Sequence, residues 1–229
     1  MRRLAYHASR ILCKLLLTPF VRIHLIRPEM ARKDGGWILA ANHISHFDPP
    51  LISVAGGRKI DWMAMVELFE NAVTAAWLRA IDSFPVDRSH VDRRAVRTAL
   101  ERLRRGNVLG MFPEGGIRDG AHSVLSGAPI RPGVGAIAQM SGTPVLPVVI
   151  LGSDRLYAPK SWVPGSRIPI WIVYGREQLR CEDSGKSARE SFEGQLGNAF
   201  RELYDEAREQ FGLSDADLPQ PPMRRKGRV

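Results

Sequence analysis

Trp37-Ile38-Leu39-Ala40-Ala41-Asn42-His43-Ile44-Ser45-His46-Phe47-Asp48-Pro49-Pro50 runs from an unbroken apolar segment into a polar turn and then into two prolines. A short apolar run closed by a turn predicts a buried strand over 37–42. Residues 43 and 48 cannot meet on one face of a helix, where each step turns about 100°. They meet only if the backbone turns between them. Pro49 favours that, because the residue before a proline is pushed out of the helical region. Asp48 then reads as an N-cap with Pro49 at the first helical position. His43 is placed at the strand end and Asp48 at the mouth of the following helix, where α/β sheets carry their sites. A carboxylate on one imidazole nitrogen fixes the tautomer and leaves the other as a general base. The bland alternative is a capping Asp48 and a surface His43, with His46 a competing imidazole and Ser45 a competing nucleophile.

Working outward, further short apolar runs predict strands over 60–65, 108–112, 145–151 and 168–174. Between them, 91–105 and 187–211 carry apolar residues at helical spacing, the second opened by a Ser187/Glu190 capping box and closed by Gly212. Strands alternating with helices predict a single α/β domain whose mixed, largely parallel sheet is flanked by helices. We place that domain at 31–212. A proline-rich, basic tail over 213–229 is expected to be disordered.

The 229 residues suffice for one full core, and a formal charge of +9 with pI near 10.1 implies an anionic partner. Cys13 and Cys181 stand far apart in no metal-binding pattern, so no metal and no disulfide is expected, and a reducing compartment fits. No early run approaches the roughly 20 apolar residues of a membrane span. Arg3, His7, Arg10 and Lys14 form a basic stripe opposed to Ala5, Ala8, Leu12, Leu15 and Leu16. Residues 1–30 are therefore expected to be an amphipathic segment lying on an anionic membrane surface, the alternative being a helix packed on the protein's own core.

Three more blocks bear chemistry: Phe84-Pro85-Val86-Asp87-Arg88; Phe112-Pro113-Glu114-Gly115-Gly116-Ile117-Arg118; and Arg131-Pro132-Gly133-Val134-Gly135 followed by the strand from Pro144. Singly, each has an ordinary reading as a turn or a solvated charge. In order with Asn42 to Asp48, they resemble the glycerolipid acyltransferase family that includes lysophosphatidic acid acyltransferases. The resemblance runs from about Trp37 to Leu151.

The resemblance implies that His43 deprotonates an acceptor hydroxyl while Asp48 holds it, and that the alkoxide attacks the thioester of acyl-CoA or acyl-carrier protein. No cofactor is implied. It further implies an acceptor site built from Asn42, Arg88, Glu114, Gly115, Gly116 and Arg118, a lysoglycerolipid acceptor, and a place on the cytoplasmic face of the cell membrane. Two positions depart from the family pattern. Gly116-Ile117 stand where Thr-Arg is usual, moving the arginine to Arg118, and Met65 stands where a lysine is often found.

The rivals are weaker. No G-x-S-x-G elbow supports a serine hydrolase. Gly133-Val134-Gly135 fits a dinucleotide fingerprint but does not directly follow a strand, so we read it as close helix–sheet packing or acceptor approach. The arginines at 88, 93, 94, 97, 102, 104 and 105 would suit a nucleic-acid module, yet no such fold signature accompanies them, and nucleic acid is not expected as a partner.

Overall fold

The computed structural model describes residues 2–214 and 217–226, with side chains from Leu4 onward. In chain order the elements are α1 (Arg2–Leu17), β1 (Val21–Ile26), β2 (Trp37–Ala41), α2 (Asp48–Ala55), β3 (Ile60–Met65), α3 (Ala72–Ala80), β4 (Phe84–Val86), α4 (Arg93–Arg104), β5 (Val108–Met111), α5 (Val134–Ser141), β6 (Val145–Leu151), β7 (Ile168–Tyr174), α6 (Lys186–Phe211) and α7 (Pro222–Arg225). Short 3-10 turns join several of them.

The seven strands make one sheet in the order β1-β7-β6-β2-β5-β3-β4. Every neighbouring pair is parallel except β6 with β7. The central strands β2 and β6 are buried along their whole length, which is why they read as continuous apolar runs. Alternate residues of β2 feed two cores. Ile38 and Ala40 pack with α4, α5 and α6 on one face, and Trp37, Leu39 and Ala41 pack toward α1 and α2 on the other.

Three expectations are corrected. The boundary at residue 30 fails because β1 is the edge strand of the sheet, paired residue for residue with β7. Arg27, at the end of β1, adopts a left-handed backbone and forks onto Glu206 of α6 at 2.7 and 2.6 Å. The Ser187/Glu190 capping box does not form; α6 begins one residue earlier, behind Gly185, with no side-chain cap. The tail, expected to be disordered, returns to the body over its described part. There the Arg225 guanidinium meets the buried Asp154 carboxylate at 2.6 Å and Arg155 meets Asp217 at 2.5 Å. Burial of a carboxylate needs a charge partner, and the tail supplies one.

α1 is amphipathic, but its faces are not divided as the sequence suggested. Tyr6 and Leu17 are buried, and Arg10 turns inward to donate to the Gly56 carbonyl at 2.8 Å. That removes Arg10 from the basic stripe; His7 and Lys14 stay exposed, and the side chain of Arg3 lies outside the described residues. Leu4, Ile11, Leu12, Leu15 and Leu16 are all more than half exposed. No helix among the described residues is long and apolar enough to cross a membrane.

Candidate active site

β2 ends at Ala41, and the following residue, Asn42, anchors the turn beyond it. The Asn42 amide is fully buried, donating to the Ile150 carbonyl at 3.0 Å and accepting from its N–H at 2.7 Å. It thus continues the β2–β6 ladder with a side chain. Asn42 was expected to touch substrate; buried and doubly bonded to backbone, it holds the strand end instead.

The chain then turns around the Asp48 carboxylate. Its Oδ2 accepts the N–H groups of Ile44 and Ser45 at 2.8 Å each and faces His43 Nδ1 at 2.8 Å. Its Oδ1 accepts the Ser153 hydroxyl. Asp48 is therefore not the N-cap of α2. Its carboxylate reaches backward into the turn, which needs those N–H groups satisfied because it is buried. Ser45 is equally buried and its oxygen accepts from the Phe47 N–H, so it is no nucleophile.

With Nδ1 engaged, His43 Nε2 has no hydrogen-bond partner among the described residues. The ring lies flat on Phe112 with centroids 3.9 Å apart, and Phe112 lies on Trp62 at 5.0 Å. Trp62 in turn donates to Ser53 at 2.9 Å. This three-ring stack holds the imidazole in one plane. His46, the competing imidazole, is engaged through both its N–H and its Nδ1 with the Tyr157 hydroxyl. Partial burial lowers its pKa, and nearby His43 adds to that.

Glu114 also proves structural. One oxygen accepts the His43 N–H at 2.5 Å; the other accepts from Ser123 Oγ at 2.8 Å and Val124 N at 2.9 Å. Burial raises its carboxyl above the ordinary value against the pull of those donors. Expected at the acceptor's phosphate, it is instead 3% exposed and ties the histidine loop to the segment after it. The turn that carries it needs glycine at 115, where φ is +68° and a Cβ would press on the Arg131 side chain.

Gly116 and Ile117 line, with His43, an apolar cavity of about 340 Å³ whose other walls include Met65, Trp77 and Pro50. Arg88 donates to the Gly115 carbonyl at 3.0 Å and lines the same cavity. Enclosure by the surrounding chain lowers the Arg88 guanidinium's pKa; Glu67 opposes this, and the like charges of Arg131 and Arg118 add to it. Arg118 donates its backbone N–H to the His43 carbonyl at 2.8 Å. Three arginines thus gather beside the dyad. Arg131 was not among the expected site residues. Its signal was the quoted Arg131-Pro132-Gly133 block, but only the fold shows it lying across Gly115, held by its N–H on the Pro113 carbonyl. Gly135, read as helix–sheet packing or acceptor approach, sits instead against Glu193 of α6.

Comparison with known proteins shows the family. A family model described as Acyltransferase matches residues 22–151. The 1-acyl-sn-glycerol-3-phosphate acyltransferase of Bacillus subtilis (strain 168) is 28% identical over 142 residues, covering 61% of this chain and 67% of that protein. The Streptococcus pneumoniae (strain ATCC BAA-255 / R6) protein of the same name is 29% identical over 130 residues, covering 56% of this chain and 46% of its own. The chain thus spans about two thirds of the first relative and under half of the second. In fold it resembles the crystal structure of the 1-acyl-sn-glycerophosphate acyltransferase from Thermotoga maritima. The TM-score is 0.65 at 24% identity, over 88% of this chain and 81% of that one.

Proposed function

Since this chain belongs to the acyltransferase family, we propose that it moves a fatty acyl group from a thioester donor to the hydroxyl of a lysoglycerolipid, with lysophosphatidic acid the foremost acceptor. The observation that carries the reading is the His43 Nδ1–Asp48 Oδ2 contact of 2.8 Å at the wall of the apolar cavity. Asp48 holds the tautomer with the proton on Nδ1. His43 Nε2 takes the acceptor's hydroxyl proton as its oxygen attacks the thioester carbonyl carbon. The C–S bond then breaks, and the proton passes to the leaving thiolate. A positioned base of this kind contributes about 10²–10⁴-fold, and orientation of the two substrates supplies more.

Lining residues such as Met65, Leu68, Trp77 and Leu78 suit the cavity to an acyl chain. Arg88, Arg118 and Arg131 suit the acceptor's phosphate, because three like charges held together are relieved by an anion and the guanidinium fork matches phosphate geometry. The names of the relatives support this acceptor. Gly116 and Ile117 add apolar surface next to it, which leaves room for a bulkier lysolipid. The test is product analysis by mass spectrometry, offering the purified protein lysophosphatidic acid, lysophosphatidylglycerol and monoacylglycerol with an acyl thioester. Phosphate-bearing acceptors should be acylated and the neutral one should not. Equal use of monoacylglycerol would sink the arginine site, and activity surviving His43→Ala would sink the base.

We further propose that α1 seats the enzyme on an anionic, cytoplasm-facing membrane surface. Its exposed Leu4, Ile11, Leu12, Leu15 and Leu16 would enter the lipid, with His7 and Lys14 beside them. Co-sedimentation with vesicles containing phosphatidylglycerol should be lost in Leu12→Glu/Leu15→Glu. Undiminished binding by that variant would assign attachment elsewhere.

A further inference from the structure

A second recess lies on the other face of the sheet, and the chemistry described so far leaves most of it unused. It is a groove of about 830 Å³ between α4 and α5, within the size range of cofactor sites. α4 turns Arg93, Val96, Arg97, Leu100 and Arg104 into it, a run at three- and four-residue spacing that shares one helix face. Ala136, Ile137 and Met140 of α5 complete an apolar floor, with Met140 half exposed.

The arginines are what make the groove informative. Arg102, on another side of the same helix, is paired with Asp61 at 2.7 Å. Among the described residues Arg93, Arg97, Arg104 and Arg131 have no carboxylate partner. The acids nearby are committed elsewhere. Asp92 caps α4, Asp87 holds Ser89, and Glu193 lies beside Arg189. α4 follows β4 and leads back to the start of β5, so Arg93 lies at the catalytic edge. Arg104 lies roughly 16 Å down the helix from it, at 1.5 Å per residue. At its catalytic end the groove meets the apolar cavity, the two sharing Met63, Arg88 and Phe112.

We propose that this groove binds the carrier half of the acyl donor, and that the carrier is coenzyme A. The proposal rests on the acyl-transfer reading above and adds to it where the donor lies and which donor it is. Coenzyme A has phosphates in two separate places, a flat base for the apolar floor, and a neutral arm long enough to bring its sulfur to the edge where His43 stands. Unpaired arginines spread along an apolar trough complement that chemistry. The groove also packs over the α4–α6 core, whereas the leucines of α1 lie over the other core. A ligand here is on the face away from the lipid, as a water-soluble carrier would be. An acyl-carrier protein offers a single phosphate on a broad acidic surface, which uses the mouth of the groove but not its length.

The test is calorimetric binding of coenzyme A itself to the full chain, followed by kinetics with palmitoyl-coenzyme A and palmitoyl-carrier protein. In Arg97→Ala/Arg104→Ala the Kd for coenzyme A should rise by about tenfold for each arginine removed. Ala136→Trp, which fills the floor and leaves every arginine in place, should weaken it as well. In both variants KM for the coenzyme A thioester should rise, with KM for lysophosphatidic acid unchanged. Unaltered coenzyme A binding in both variants overturns the proposal, as does a loss confined to the carrier-protein donor. Because binding is read without turnover, a protein that binds coenzyme A through these arginines yet acylates no lysolipid would refute the functional reading and leave the groove assignment standing.

Discussion

Asp48→Asn separates the charge of the Asp48 side chain from its geometry, because the hydrogen-bond pattern dictates how an amide must sit. Oδ2 faces three donors, the N–H groups of Ile44 and Ser45 and the His43 ring, so the amide oxygen must occupy that site. The amide NH₂ then falls at Oδ1, opposite Ser153, whose hydroxyl can reverse and accept. The turn and the tautomer should both survive, and only the negative charge is lost. In the proposed mechanism that charge stabilises the imidazolium formed in the transition state. At about 4 Å between charge centres and an effective dielectric near 20 the interaction is about 4 kcal/mol, an upper figure of roughly 10³ in rate. We expect kcat to fall by about 10²–10³ with KM for both substrates and the melting temperature nearly unchanged. Thiol release from an acyl thioester, followed with a thiol-reactive chromophore, measures the rate, and a thermal melt checks the fold. A variant that folds normally and stays within about threefold of the parent, less than 1 kcal/mol, would refute the electrostatic role of Asp48.

Glu114→Gln should behave in the opposite way. Both carboxylate oxygens accept from backbone N–H groups, so either amide orientation sets N–H against N–H, and calorimetric unfolding should show a loss of about 2 kcal/mol. Glu206→Gln tests linkage. The hydrogen bonds from Arg27 lower the Glu206 pKa below its ordinary 4.5, so its contribution is complete above 4.5 and is lost as pH falls through the lower folded value. Urea unfolding should therefore find the variant weaker than the parent at pH 7, with the gap closing below 4.5. A gap that held constant into acid would assign the loss to packing.

The sequence was most legible where one strand, one turn and one helix start lie together. The strands over 60–65, 145–151 and 168–174 have the bounds that their apolar runs suggest, and the turn between His43 and Asp48 brings the two side chains together. Less could be read where a residue's meaning depends on a distant part of the chain. Val21-Arg22-Ile23-His24-Leu25-Ile26 alternates like an edge strand, but beside a leucine-rich helix its basic residues suggested a membrane-surface segment. β4 has three residues and a proline, too few for a period. Asn42 and Glu114 stand in the expected blocks, yet nothing local says that they face inward. Their partners are Ile150 and Val124, and no spacing rule connects those positions.

The ties that shape the histidine turn set an order on how the protein is made. His43 is held by Glu114 across 71 positions, Asp48 by Ser153 across 105, and Asn42 by Ile150 across 108. Closing loops of that length is slow compared with forming local helices, and a chain emerging from a ribosome has to wait for its later segments. α1, by contrast, is complete within the first 17 residues and can meet a lipid surface early. The His43–Asp48 pair is assembled only after β6 and the serine behind it have arrived. On the proposed reading, a nascent or truncated chain ending before Ser153 would carry the membrane-seating helix without the assembled histidine turn.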